Sequence, residues 1–403
     1  MPLSLYGRIV KRALARPAVA EALTKVSFAW RHAYMFLVGT LKGIDPNKAV
    51  FSSFMANAYG DNPRYVSEAL HELAPQVKQV WLFRDDRIDS VQVPDYVIKA
   101  HAVGLDGITH LATARVWVDN VKKQQSLLFR PKKQIYFNTW HGDRGFKRVG
   151  RDNKKLPNWK PRLERFCSAM IAGSEFGART YRTAFDFQGK VLMDGCPKND
   201  ILVRDDPAVA AALREKMGVP QDAKLLIYAP TYRDDLPDSD QRAPLNLGQA
   251  LDWLEEKTGK TWLCLMRAHY LSHGIDAGDA AGRVIDMTRW PEMAELLAVS
   301  DLLISDYSSC AGDFILRDKP AILYQSDADQ YTDGSREFYF DMATAPFFIA
   351  HDMAELKAVI DGLTEESVLE NCRQWREFFG VTETGHASEA SARYILDAMR
   401  ARP

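Results

Sequence analysis

The sequence is poor in cysteine and contains no long apolar run. Its five cysteines are scattered over 403 residues, with no CxxC pair and no histidine at ligand spacing. This distribution is typical of a reducing compartment and predicts no zinc site. No apolar run approaches the length needed to cross a bilayer. The first apolar stretch is interrupted by arginine and lacks a small-residue cleavage site, so no cleavable signal is predicted.

Charge excess and common nucleotide motifs are also missing. Lys+Arg 52 balance Asp+Glu 53, so charge does not indicate a nucleic-acid partner. No GxGxxG follows a predicted strand, and there is no P-loop and no GxSxG nucleophile elbow. The 46% hydrophobic and 26% charged residues are those of a soluble globular protein. A chain of 403 residues is too long for one ordinary core, which favours two domains.

From Ala49 onward, short apolar runs alternate with amphipathic segments. Strands are predicted at 50–54, 79–83, 96–100, 114–120, 135–140, 166–172, 225–233, 261–269, 284–288, 302–304 and 321–324, and helices at 63–73, 104–113, 175–184, 204–216, 247–257, 293–299, 311–316 and 387–400. This alternation predicts an α/β fold with parallel sheets in two halves, which face each other across a cleft. We place the boundary near residues 205–222, giving domains at 49–210 and 211–385 and a C-terminal helix at 386–403.

The N-terminal segment, residues 1–48, is basic and amphipathic. Its first 44 residues carry a single acid, Glu21, against seven cations: Arg8, Lys11, Arg12, Arg16, Lys25, Arg31 and Lys42. Apolar and aromatic residues are interleaved with them, which predicts one or two helices separated at Pro17. Such a segment could lie on an anionic membrane surface. The alternative is a helix packed on its own protein with a solvated basic face.

Polar residues that end strands should meet at the cleft. This rule selects the stretches 138–148, 232–233, 267–270 and 306–309. Asp306 precedes Ser308 and Ser309, which fall where a helix begins after a buried strand. A helix start carries unpaired N–H groups and partial positive charge, which makes it a seat for phosphate. The alternative is that the two serines merely cap a helix.

His141 follows a predicted strand directly and is the candidate general base. A neutral imidazole can accept a proton from an attacking hydroxyl. Asn138 precedes it, and Arg144, Lys147 and Arg148 form a basic cluster after it that would attract a phosphate-bearing molecule. The alternative is a structural or surface histidine.

His269 and Arg267 occupy the matching place in the second half, where they could bind a diphosphate and stabilise a leaving group. Arg233 also ends a strand and is a candidate contact to phosphate or acceptor, or else an ion-pair partner of a neighbouring aspartate. Glu295 lies on the helix before the serine turn, as a ligand of sugar hydroxyls or as part of a solvated face. His273, four residues after His269, suggests a metal site as an alternative if this stretch were a helix. The β-like run before it argues against a helix.

Five ordered segments resemble the CDP-glycerol glycerophosphotransferases, the polymerases and primases of teichoic acid and capsule. NTWHGDRGFKRVG at 138–150 is similar to the family's TWHGTPLKxxG signature, and 302–324 contains a DYSS turn, a helix and a KPxxxY-like strand. FMANAYGDNPR, GCPKNDIL and YAPTYRDD, at 54–64, 195–202 and 228–235, look like further family segments. The sequence departs at Asp143-Arg144, where the family has Thr-Pro, and at Cys196, where it has an aromatic residue.

The resemblance implies a GT-B fold of two Rossmann-like domains, without a cofactor or metal. It implies transfer of a polyol phosphate from a CDP-linked donor to a hydroxyl of a lipid-linked acceptor, with release of CMP. His141 then corresponds to the base, His269 to the donor-phosphate histidine, and Ser308 and Ser309 to the pyrophosphate-binding pair. The enzyme would be cytoplasmic and peripheral on the inner face of the membrane. CDP-ribitol, a sugar-nucleotide donor or a non-catalytic scaffold are the alternatives, and the choice of primase or polymerase stays open.

Overall fold

The computed structural model describes residues 17–121, 134–154, 167–231, 245–268, 280, 282–328 and 337–401. Its strands are β1 Asp45–Phe51, β2 Lys78–Phe83, β3 Val97–His101, β4 Ala114–Asp119, β5 Ile135–Asn138, β6 Ala169–Ile171, β7 Lys190–Leu192, β8 Lys224–Ala229, β9 Trp262–Met266, β10 Val284–Asp286, β11 Leu302–Ser305, β12 Ala321–Tyr324 and β13 Phe348–Ala350. Its α-helices are α1 Pro17–Leu41, α2 Asp61–Leu73, α3 Leu105–Thr113, α4 Glu175–Ala184, α5 Asp200–Arg204, α6 Pro207–Met217, α7 Leu247–Thr258, α8 Met293–Val299, α9 Cys310–Phe314, α10 Met353–Gly362, α11 Glu365–Phe379 and α12 Ala387–Arg400.

The strands form two parallel sheets. The first has the order β3-β2-β1-β4-β5-β6-β7, and the second has the order β10-β9-β8-β11-β12-β13. Every pairing between these strands is parallel. The predicted α/β class with parallel sheets is therefore confirmed. We call the elements built around the first and second sheets the N-terminal half and the C-terminal half.

Both faces of each sheet are covered, which explains the unbroken apolar runs. On β2, Val80 and Leu82 face one core while Trp81 and Phe83 face the other. The same alternation holds on β8 and β11 of the second sheet. Successive side chains of a strand point to opposite faces, so a strand with helices on both sides must be apolar throughout.

The predicted bounds of α4, α8, α12 and β12 match the structure, and most others differ by one or two residues. The predicted helix 204–216 is wrong at its start, because Arg204 is the last residue of α5 and α6 begins at Pro207. Asp205 adopts a left-handed conformation with φ 40°, and Pro207 begins the next helix, so the chain turns between them. The sequence interpretation missed β7, β13, α10 and α11.

The C-terminal helix α12 leaves the C-terminal half and packs on the first sheet. Its Ile395, Leu396 and Met399 join the core formed by Phe51, Trp81 and other residues of that sheet. The Arg115 guanidinium on β4 donates to the carbonyl of Ala398 at 3.1 Å and to that of Ala401 at 2.8 Å. The chain therefore connects its two halves twice, once through the region before β8 and once through the segment before α12.

Helix α1 lies against α3 on the outside of the N-terminal half. Met35 and Val38 are buried there, and the Tyr34 hydroxyl is 3.1 Å from that of Thr109. Within the described ranges, we find no helix with the length and hydropathy that a bilayer crossing requires.

Candidate active site

His141 lies just beyond β5, with its ring held by a backbone carbonyl. Nδ1 is 2.7 Å from the carbonyl oxygen of Asn120, which follows β4. Because a carbonyl only accepts, Nδ1 carries the hydrogen. Burial lowers the pKa of His141, so the ring is neutral near pH 7 and its Nε2 presents a lone pair. The ring contacts that of Trp140, at 4.5 Å between centroids, and that of Phe54, at 5.7 Å. This arrangement suits a proton acceptor.

Asn138 supports the turn that carries His141 and does not line a cleft, which corrects its predicted place. It is fully buried. Its amide donates to Asp119 Oδ1 at 2.7 Å, and its Oδ1 accepts from the Trp140 backbone N–H at 2.9 Å. Trp140 has φ 49°, an uncommon conformation for a bulky residue that these bonds help to hold.

Arg144 was predicted to line a basic cleft, but it is buried at the junction of the two halves. Its guanidinium donates to Asp313 Oδ1 at 2.7 Å, Glu383 Oε1 at 2.8 Å and Asp143 Oδ2 at 3.2 Å. It also donates to the carbonyl of Gly312 at 2.9 Å and to that of Gly173 at 3.1 Å. All of this bonding is internal to the protein, so the departure from Thr-Pro serves contact between the halves.

Lys147 and Arg148 lie where the His141 loop meets residues 337–339 of the C-terminal half. Lys147 forms an isolated antiparallel bridge with Phe338. Arg148 Nε donates to the Phe338 carbonyl at 3.0 Å, and its guanidinium lies 5.5 Å from the centre of the Tyr339 ring. Both residues are partly exposed, so they remain candidates for contacts to acceptor, a role that stays a prediction.

The serine turn has the form that the sequence predicted. β11 ends at Ser305, α9 begins at Cys310, and Ser308 and Ser309 between them are partly exposed. Ser308 Oγ accepts from the Cys310 N–H at a long 3.4 Å. Ser309 occupies the N-cap position, but its side chain makes no capping bond to the helix that the structure describes there. Simple capping therefore accounts for little of this serine pair.

Asp306 braces the turn and is buried, which corrects its placement among phosphate-binding groups. Its carboxylate accepts from the Thr231 N–H at 3.0 Å and from the Thr231 hydroxyl at 2.6 Å, and its Oδ1 accepts from the Tyr307 N–H at 2.6 Å. These bonds tie the end of β8 to the end of β11. A carboxylate satisfied in this way aligns the serines without facing an anion itself.

Arg267 is directed at the loop after β10. Its Nη1 donates to the carbonyls of Met287 and Thr288, each at 3.0 Å, and to that of Trp290. These contacts give Arg267 a structural role, and its binding of donor stays a prediction. His269 and Arg233 lie outside the described residues, so the predicted pairing of the two histidines across the cleft also stays a prediction.

Further contacts between the halves involve acidic and basic residues, most of which sequence reasoning missed. Glu292 accepts from the Asp61 backbone N–H at 2.8 Å, and Lys198 Nζ is 3.0 Å from Asp313 Oδ2. Glu295 is buried and pairs with Arg64 at 2.9 Å, so it is not part of a solvated face. The segments DNPR and PKND were noticed for their resemblance alone. These residues lie at helix starts, whereas the strand-end rule selects only residues that follow strands.

The profile of the family "CDP-Glycerol:Poly(glycerophosphate) glycerophosphotransferase" matches residues 34–397. The chain belongs to this family, as its ordered motifs indicated.

Two teichoic acid poly(glycerol phosphate) polymerases are similar to the chain. That of Staphylococcus epidermidis is 28% identical over 368 residues, 86% of this chain and 50% of its own length. That of Bacillus subtilis is 28% identical over 322 residues, 76% of this chain and 42% of its own. The chain thus spans half or less of the length of these relatives. Solved structures of the wall teichoic acid polymerase TagF are also similar: one has a TM-score of 0.82 at 26% identity and covers 95% of this chain and 96% of that one. Another, obtained with CDPG, has a TM-score of 0.79.

Proposed function

We propose that the protein transfers glycerol phosphate from CDP-glycerol to a hydroxyl of a lipid-linked, teichoic-acid-like or capsular acceptor, with release of CMP. Family membership over residues 34–397 supports the reaction class. The observation that carries the chemistry is His141, a neutral imidazole whose Nδ1 is bonded and whose Nε2 is left to accept a proton.

The reaction is a displacement at phosphorus. The acceptor hydroxyl gives its proton to His141 Nε2 while its oxygen bonds to the β-phosphorus of CDP-glycerol. The bond from that phosphorus to the bridging oxygen breaks, and the electron pair leaves on CMP. Ser308, Ser309 and the backbone N–H groups at the start of α9 would hold the diphosphate, with His269, Arg233 and Arg267 on the donor side.

The finer architecture belongs to the same proposal. We assign a GT-B arrangement, with an acceptor domain at 49–210 and a CDP-donor domain at 211–385 joined by the C-terminal helix at 386–403. The similarity to TagF supports it. We place the enzyme in the cytoplasm, peripheral on the inner face of the membrane, with the amphipathic segment 1–48 on the lipid. The exposed apolar side chains of α1 support that contact.

The test is a donor panel with product masses. The protein is incubated with a lipid-linked acceptor ending in glycerol phosphate and with CDP-glycerol, CDP-ribitol or a UDP-sugar. We expect CMP release and a mass increase of glycerol phosphate with CDP-glycerol alone. Turnover with CDP-ribitol alone would change the polyol, and turnover with the UDP-sugar alone would overturn the proposal.

His141→Ala tests the base in the same assay. General-base catalysis contributes on the order of 10²- to 10⁴-fold, so turnover should fall by that factor while the thermal unfolding temperature changes little. His351→Ala is the matched control, because His351 is exposed and pairs with Glu355 on the far edge of the second sheet. A His141→Ala variant with full activity would remove His141 from the mechanism.

A further inference from the structure

Asp61 begins α2 and is bonded from both halves of the molecule. Its Oδ1 accepts from the Asn120 side-chain amide at 2.9 Å, and its backbone N–H donates to Glu292 of the C-terminal half at 2.8 Å. The residue is buried and has φ 56°, a left-handed conformation in which aspartate and asparagine are better tolerated than most residues. A buried carboxylate in a strained turn is costly unless other contacts fix it there.

Asn120 connects Asp61 directly to His141. Its backbone carbonyl accepts the Nδ1–H of His141, while its side-chain amide donates to Asp61 and, at 3.2 Å, to Ser53 Oγ. Its Oδ1 accepts from the Phe54 N–H at 2.8 Å. Both the nitrogen and the oxygen of the Asn120 side-chain amide are therefore hydrogen-bonded, which fixes the Asn120 backbone in place. The position of the carbonyl that orients His141 therefore depends on Asp61.

The loop between β1 and α2 adds to this dependence. Phe54, Met55 and Ala56 all have positive φ, at 45°, 59° and 67°. Such conformations are held only when surrounding contacts over-determine them. The Phe54 N–H bond to Asn120 is one of these contacts, and the Phe54 ring in turn lies against His141. The loop between β1 and α2, the Asn120 side-chain amide and the His141 imidazole are therefore connected by direct contacts.

Two charged groups act on the His141 ring besides its burial. Burial, the largest effect, lowers the pKa of His141, and the hydrogen bond to the Asn120 carbonyl raises it. The Asp61 carboxylate also raises that pKa, and the Lys198 ammonium lowers it. Lys198 Nζ lies 3.8 Å from Asp61 Oδ2 and 3.0 Å from Asp313 Oδ2. Asp61 is thus a negative charge that opposes the effect of Lys198 on the ring.

We propose that Asp61 is a positioning residue for His141, which orients the imidazole through Asn120 and stabilises the imidazolium that forms when Nε2 takes the acceptor's proton. The second part rests on the proposed function. The proton moves from the acceptor hydroxyl to Nε2, the ring gains one positive charge, and Asp61 offsets that charge as the new oxygen–phosphorus bond forms.

Asp61→Asn separates charge from geometry. An asparagine can still accept from Asn120 and tolerates the left-handed backbone, so the variant keeps the fold while it loses the negative charge. Asp61→Ala loses both the charge and the hydrogen bond. Asp86→Asn is the control, since Asp86 is an exposed carboxylate of the same half that pairs with Arg84.

The first readout is the titration of the His141 Cε1–H signal by NMR, assigned by its loss in His141→Ala. We expect the midpoint to move to lower pH by about one unit in Asp61→Asn and to stay in place in Asp86→Asn. The second is the pH profile of kcat/KM with CDP-glycerol, whose acidic limb should move the same way. We expect kcat to fall about tenfold in Asp61→Asn and further in Asp61→Ala.

An Asp61→Asn protein that loses activity with neither the His141 titration nor the acidic limb displaced would overturn the proposal, because a merely structural role moves neither. If the wild-type protein turns over no CDP-polyol, the proposed function fails. The NMR titration still decides in that case whether Asp61 controls His141, so the two failures are distinguishable.

Discussion

Burial raises the pKa of Glu292 to about 7 from its usual 4.5, and the nearby Asp61 carboxylate adds to the effect. Between these values the folded protein holds a proton that the unfolded chain has released. The contribution of Glu292 to the free energy of unfolding is therefore highest at low pH and falls as pH rises from about 4.5 to about 7. Near neutral pH this residue weakens the fold that its hydrogen bond to Asp61 helps to organise.

Glu292→Gln should reverse that effect, because the amide is neutral at every pH and its oxygen can still accept from the Asp61 N–H. We expect the free energy of unfolding at pH 8 to rise by up to about 3 kcal/mol over wild type, with little gain at pH 5. Urea denaturation at the two pH values measures it. Glu215→Gln, at an exposed position on α6, should show no such difference. An equal gain at both pH values would contradict the pKa argument.

Helix α1 presents a line of apolar side chains to solvent. Val26, Trp30, Leu37 and Leu41 are 66%, 52%, 55% and 76% exposed, and their spacing places them on one side of a helix with 3.6 residues per turn. Met35 and Val38 are buried and hold the helix to the protein. An apolar stripe of this kind on a basic segment fits the interface of an anionic bilayer.

Trp30→Glu combined with Leu37→Glu should therefore weaken binding to vesicles that contain anionic lipid. We expect wild-type protein to co-sediment with such vesicles and the double variant to lose most of that binding, at least about tenfold, because two large apolar groups are replaced by charges that repel the surface. Leu369→Glu, an exposed leucine on α11, should bind as wild type does. Equal binding of all three proteins would exclude α1 as the membrane contact.

The two halves are joined by a buried ionic cluster centred on Arg144. Asp143 and Glu383 contact it from segments that connect to the N-terminal half, and Asp313 contacts it from α9 beside the serine turn. Burial raises the pKa of Glu383 to about 7, with Arg144 acting in the opposite direction. Arg144 lies three residues after His141 and contacts Asp313, five residues after Ser308. The relative position of the two residues proposed as base and phosphate seat therefore depends on this arginine.

Arg144→Met should destabilise the whole molecule, because it leaves several buried acceptors without their donor. Removing one partner of a buried ion pair lowers the free energy of unfolding by about 3–5 kcal/mol. Chemical denaturation at pH 7 measures the loss. Arg393→Met removes a solvent-exposed pair with Glu389 on α12 and should change stability by less than about 1 kcal/mol. A similarly small effect of Arg144→Met would show that the cluster does not join the halves.

Local sequence patterns were sufficient for most of the fold. A strand buried on both faces must be apolar throughout, so β2, β8, β11 and β12 could be predicted from continuous apolar stretches of the sequence. The edge strands β7 and β13, of three residues each, were missed. The serine turn could be predicted because strand, turn and helix start are adjacent in the chain.

The direction of each side chain was decided by contacts distant in sequence. The strand-end rule placed Asn138, Arg144 and Asp306 at a cleft, but the side chains of all three are buried and bonded within the protein. Arg144 pairs with Asp313 and Glu383, which are more than 160 residues away in the sequence. The apolar periodicity of a single helix or strand contains no information about such a long-range ion pair. The sequence by itself determined the strands, helices and the chemical types at their ends. Only the packing of one half against the other decided which of those groups are buried in internal pairs and which, like His141 and the two serines, stay partly exposed.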